Sequence, residues 1–139
     1  MNEKNLLQGG CLCGALRYTI SGEPFDADYC YCRMCQKSIG APVACWMDFK
    51  SEQITWLSGQ PKEYQSSNNT ARGFCPTCGC SISFRDFRYP QYFSLAIATL
   101  DNTERVQPNY HIYTHSRVSW LNITDECAKF SHARTSDGD

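Results

Sequence analysis

Short stretches of alternating apolar and polar residues, broken every few positions by Gly, Pro, Asn or Ser, run along the chain from end to end. That period of two is the mark of half-buried strands, and the frequent breaks keep each one short. From Cys11 to Ile20 the alternation sets Leu12, Leu16, Tyr18 and Ile20 on one face and Cys11, Cys13, Ala15 and Arg17 on the other, which predicts a first strand. Further strands are predicted over Val43 to Phe49, Gln53 to Leu57, Glu63 to Ser66, Thr70 to Cys75, Ser81 to Arg85, Tyr92 to Ala98 and Asn109 to Tyr113. Arg33 to Ile39 reads as a single helical turn stopped by Gly40, and Asp125 to His132 as a short C-terminal helix. The expected class is all-β, with one domain over residues 1–134 and a disordered tail over 135–139.

Cysteine changes this picture more than any other residue type. Seven of the ten fall into three tight groups: Cys11 and Cys13, then Cys30, Cys32 and Cys35, then Cys75 and Cys78. Side chains at i and i+2 of a strand share a face, so Cys11 and Cys13 can converge on one ion. Cys75-Pro76-Thr77-Cys78 has the two-residue spacer of a zinc knuckle, with turn residues Pro76 and Gly79 beside it. Those two pairs make a four-thiolate site. The middle group offers three thiolates with no fourth ligand nearby in sequence, so two zinc ions are expected, one in a closed site and one with a free position. Cys45, Cys80 and Cys127 stand alone and read as small buried apolar residues, although Cys80 lies close enough to Cys78 to reach the same metal.

Composition narrows the alternatives. A formal net charge of −1 without a basic run argues against nucleic acid, and no apolar stretch is long enough for a membrane helix. The first residues, Met1-Asn2-Glu3-Lys4-Asn5, have no apolar signal core, so a cytoplasmic, metal-binding protein is expected in preference to a secreted disulfide framework. A thioredoxin-type redox pair would need a βαβ pattern, which is absent.

The stretch Gly9-Gly10-Cys11-Leu12-Cys13-Gly14-Ala15-Leu16-Arg17-Tyr18, the group Cys30, Cys32 and Cys35 leading to Gly40-Ala41-Pro42, and Phe74-Cys75 through Cys78-Gly79 resemble the glutathione-dependent formaldehyde-activating enzyme family, also called the Gfa or centromere protein V family. Pro108-Asn109-Tyr110-His111-Ile112-Tyr113, Ser116 and Trp120 extend the resemblance. It implies a β-tent fold of small antiparallel sheets clasped by zinc. It implies a structural zinc on Cys11, Cys13, Cys75 and Cys78, and a catalytic one on Cys30, Cys32 and Cys35. It also implies a carbon–sulfur lyase activity that joins glutathione and formaldehyde into S-hydroxymethylglutathione. Two positions depart from the family pattern: Tyr31 where His is frequent, and Cys80 where Ser or Thr is common. Tyr31, between two proposed ligands, is expected at the mouth of the site, where it would influence substrate choice. A zinc- or thiol-binding module without turnover is the alternative. A methionine sulfoxide reductase would need a reactive cysteine in an Arg-x-Cys-x-Asn setting, which Cys127 lacks.

No general acid or base stands out. His111 in its predicted strand, His115 in a turn and His132 near the tail are each more ordinary as packed or solvated residues. Asp48 and Glu52 are expected in solvent. Arg33, Lys37, Arg72 and Arg117 are candidates for the carboxylates of a glutathione-like substrate, and otherwise exposed charges.

Overall fold

The structure, a computed structural model, describes residues 6–134. The expected tail over 135–139 lies outside them. Strands β1 (Leu7–Gly10), β2 (Arg17–Ile20), β3 (Asp26–Cys30), β4 (Ala44–Lys50), β5 (Ile54–Ser58) and β6 (Lys62–Gln65) are followed by β7 (Thr70–Phe74), β8 (Ser81–Asp86), β9 (Tyr92–Ala96), β10 (Tyr110–Ile112) and β11 (Ala128–Lys129). One short helix, α1 (Arg33–Ile39), connects β3 to β4. The strands form a small sheet ordered β1-β2-β5 and a large one ordered β11-β10-β3-β4-β9-β8-β7-β6, antiparallel except where β10 runs parallel to β3 and to β11. The protein is all-β, with the β-tent arrangement of small sheets.

Strand β4 explains how the large sheet is covered on both sides. Its alternation sends Met47 and Phe49, both fully buried, into the main core with Tyr18 and Ile20 of the small sheet and Ile82 and Leu95 of the large one. Ala44 and Trp46 face the other way, into a second cluster with Cys30, Cys35 and Ala96, against which Ile39 of α1 packs. The main core joins the two sheets through the hydrophobic effect. The second core seats the cysteine-bearing end of α1.

Three expectations are corrected. Residues 11–20 are not one strand: the chain turns after Gly10, with the Cys11 amide bonded to the Leu16 carbonyl, the Gly14 amide bonded to the Cys11 carbonyl, and Gly14 at φ 83°, before β2 resumes the predicted alternation. Leu12, assigned to the buried face, is accordingly 88% exposed, whereas Leu16, Tyr18 and Ile20 are buried as expected. The helix expected over Asp125 to His132 is absent. Asp125 accepts a bond from the Cys127 amide, an Asx turn that competes with helix, and Ala128–Lys129 pairs with β10. Finally, β9 ends at Ala96 because Ile97–Thr99 tightens into a 3-10 turn. Besides β11, two strands went unpredicted, β1 and β3. β1 carries Gly9, where a Cβ would collide with the Tyr18 ring and the Thr99 carbonyl, so close packing demands glycine there.

Candidate metal centres

The turn after β1 and the knuckle after β7 bring Cys11, Cys13, Cys75 and Cys78 together, all four sulfurs within 4.8 Å of one another. Cys11 and Cys13 Sγ are 3.7 Å apart, and Cys13 and Cys75 Sγ 3.8 Å. A tetrahedron with metal–sulfur bonds of about 2.3 Å has edges of about 3.8 Å, so these two separations match the edges that an ion such as zinc requires, and the other sulfurs lie close to them. Backbone amides point at the sulfurs: Leu16 N–H donates to Cys11 at 3.2 Å, and Thr77 and Cys78 N–H donate to Cys75 at 3.4 and 3.5 Å. Donors of this kind stabilise thiolate charge. Burial opposes ionisation of Cys11, but the Leu16 amide and the neighbouring thiols outweigh it and bring Cys11 down to about 6.

Cys30, Cys32 and Cys35 form the second cluster, built at the junction of β3 and α1. Cys30 is the last residue of β3. Cys32 caps the helix, its sulfur accepting from the Cys35 amide at 3.3 Å, and Gly40 at φ 76° ends the helix at the predicted place. Cys30 and Cys35 Sγ are 3.5 Å apart, again close to a tetrahedral edge. Hydrogen bonds from the Cys30 and Cys35 thiols, with the Cys35 amide and the nearby Arg72 charge, outweigh burial and hold Cys32 down to about 2, while the contacts with the Cys32 and Cys35 sulfurs, together with burial, push Cys30 far up. A divalent cation is what would ionise all three, and the donor set suits a thiophilic one. Among the described residues no fourth His, Cys, Asp or Glu completes the trio.

The surroundings sort the other candidates. Arg72, only 7% exposed, donates from Nη1 to Cys35 Sγ at 3.5 Å and lines a cleft of about 410 Å³ shared with Met34, Lys37, Tyr64, Phe74 and Ser81. None of the three cysteines lines that cleft, so Arg72 is the link between it and the cluster. Lys37 also borders a smaller cleft with Arg33 and Trp120 on the far side of α1. Arg33 holds the Gln36 carbonyl oxygen at 2.7 Å, and Gln36 in turn ties the helix to the Pro42 and Ser116 carbonyls. Arg117 is engaged with the Val118 and Leu121 carbonyls and the Asn122 side chain.

Tyr31 does not stand at the mouth of the cluster. It is 1% exposed, and its hydroxyl meets His111 Nδ1 at 2.8 Å, while His111 Nε2 lies 3.1 Å from both Asp125 oxygens. His111 is the packed, hydrogen-bonded strand residue expected of it, and Asp125 is a partner that sequence spacing had no means of showing. His115 and His132 stack on each other, ring centres 4.4 Å apart. Asp48, expected in solvent, is half-buried and accepts from the Ser94 hydroxyl at 2.6 Å; its loss of solvent raises it to about 6. Glu52 is exposed. Of the lone cysteines, Cys45 and Cys80 pack against the main core, and the Cys127 thiol faces the Pro108 carbonyl at 3.9 Å; none joins a cluster.

Similarity to known proteins follows the same residues. The family model described as glutathione-dependent formaldehyde-activating enzyme matches residues 6–116, most of the chain and all seven clustered cysteines. The chain belongs to that family. A protein of Halomonas elongata whose name places it in the same family is 24% identical over 127 residues, covering 85% of this chain and 81% of its own. A crystal structure of a Rhodobacter sphaeroides protein superposes with a TM-score of 0.58 at 24% identity, over 73% of this chain and 91% of that one, a likeness of fold. The family match ends at Ser116, so Trp120, 74% exposed at the smaller cleft, lies beyond it. Among the described residues no helix is long and apolar enough to cross a membrane.

Proposed function

We propose that this family member is a zinc-dependent carbon–sulfur lyase-type enzyme of the cytoplasm that joins a thiol, glutathione in the first instance, to formaldehyde or a related aldehyde. In this reading Cys11, Cys13, Cys75 and Cys78 hold a structural zinc, and Cys30, Cys32 and Cys35 hold a second one with a position left for substrate. The observation that carries the reading is the asymmetry of the two clusters, four converging sulfurs in one and three in the other, the latter joined through Arg72 to a cleft. Bound zinc would supply the Lewis acidity that ionises an incoming thiol, whose pKa in water is about 8.5.

The chain's own contribution is to hold three sulfurs on one side, by the end of β3 and the cap of α1, and to leave the other side for the substrate sulfur. The thiolate lone pair then forms the carbon–sulfur bond, the carbonyl π pair moves to oxygen, and that oxygen takes a proton from water to give the S-hydroxymethyl product. Lys37, on the wall of the cleft, is the cation available to a carboxylate of a glutathione-like substrate.

One observation favours the second reading, a zinc- or thiol-binding module without turnover. His111, the histidine nearest in sequence logic to an acid–base role, is held by Tyr31 and Asp125. The two readings part on a rate. Formaldehyde consumption should depend on added glutathione and vanish in Cys35→Ser with the fold intact; a rate equal to the uncatalysed one in the zinc-loaded parent leaves the binding module.

A further inference from the structure

Arg72 sits in the middle of β7, paired across the sheet with Tyr64 of β6 and Phe84 of β8. Its guanidinium lies 4.9 Å from the centre of the Phe84 ring, and its Nε–H is buried without an acceptor. Arg17, Arg85, Arg88 and Arg134 each pair with a carboxylate, but among the described residues Arg72 has no Asp or Glu within ion-pair distance. A buried guanidinium without a counter-anion is strongly disfavoured. Among the described residues the one acceptor it touches is Cys35 Sγ, at 3.5 Å.

Charge counting gives this placement a meaning. Three thiolates around a divalent ion leave one excess negative charge, and a fourth thiolate would leave two in a half-buried pocket. We propose that Arg72 is the counter-cation that allows the three-cysteine cluster to accept a fourth sulfur as a thiolate, whatever the rest of that thiol carries; this rests on the cluster being the open site. Arg72 is then a positioning residue for any thiol. Its unused Nε–H and its place on the cleft wall set it between the incoming sulfur and the remainder of the ligand.

Cobalt-loaded protein tests this without reference to turnover, because sulfur-to-cobalt charge-transfer absorption reports a fourth sulfur directly. Parent, Arg72→Met, Arg72→Gln and Arg72→Lys are titrated with 2-mercaptoethanol, which has no carboxylate, and with glutathione. Loss of a charge-assisted contact weakens binding on the order of 10- to 100-fold, so both neutral variants should lose both thiols by that factor, and Arg72→Lys should keep 2-mercaptoethanol within about threefold. Neutral variants that bind 2-mercaptoethanol like the parent overturn the proposal. So does a loss confined to glutathione, which would make Arg72 an anchor for its carboxylates. If the neutral variants do not fold, Arg72→Lys decides: retention supports the proposal, and a loss beyond about tenfold in folded protein refutes it. A parent spectrum indifferent to every thiol would sink the open-site reading itself, an outcome distinct from any of these.

Discussion

Opening the four-cysteine cluster should cost more stability than opening the three-cysteine cluster, and the structure says by how much. Metal at the first cluster ties the turn after β1 to the knuckle after β7, contacts 62 positions apart in the chain. Loop-closure entropy for a cross-link of that span is about 4 kcal/mol. The second cluster spans 5 positions, Cys30 to Cys35, for which the same relation gives about 2 kcal/mol. With about 2.1 cal/mol/K of unfolding entropy per residue, the 139 residues give roughly 0.3 kcal/mol/K, so the two losses become about 14 and about 7 °C. The assay is a thermal melt of Cys75→Ser and Cys35→Ser, each treated with a mild chelator, with metal content measured before and after. Cys75 is fully buried at the base of its site, so its loss also disturbs the core and can only widen the gap. If the two variants, each short of one ion, melt within about 2 °C of one another, then no long-range clasp exists and the assignment of the structural site is wrong.

Two further outcomes follow from buried polar groups. Tyr31→Phe removes a hydroxyl from a site where both it and His111 are 1% exposed, leaving His111 Nδ1 without its partner; it should destabilise by about 1–3 kcal/mol, read by denaturant melts, while zinc content and the preference among thiols stay as in the parent. A changed substrate profile would return Tyr31 to the site. Asp48 titrates near 6 when folded because of burial, above its unfolded value of 3.8, so the folded state gains protons relative to the unfolded one and loses stability as pH rises from about 4 to about 6. Asp48→Asn, which keeps an acceptor for the Ser94 hydroxyl, should therefore become progressively more stable than the parent across that window, by on the order of 3 kcal/mol, and level off above it. A difference that does not vary with pH would mean that folding leaves the Asp48 pKa where it is in the unfolded chain.

What the sequence revealed, and what it hid, divides along the range of the interactions involved. Cysteine ligands declare themselves because a metal site is assembled from local spacings: Cys75 to Cys78 is a turn, Cys32 to Cys35 is one helical turn from cap to third residue, and both formed as expected. The spacing of Cys11 and Cys13 misled for the same reason, since i and i+2 converge in a strand and in a tight turn alike. Gly14 at φ 83° was the signal that should have favoured the turn. Burial of charge, by contrast, is a tertiary event. Asp26 and Asp28 are poor strand formers, which is why β3 was missed, yet Asp28 is buried in the sheet, and Asp48, expected in solvent, is half-buried in β4 where it pairs with β3. Arg72 could not be told from Arg33 or Arg117 by its neighbours in sequence. Only the pairing of β7 between β6 and β8 turns it toward the end of α1, and only the lack of any carboxylate there makes its partner a sulfur. The candidate metal ligands are thus written locally, while the groups that set charge and access around them are written in the sheet order. A relative could keep every cysteine and still differ in which thiol it admits.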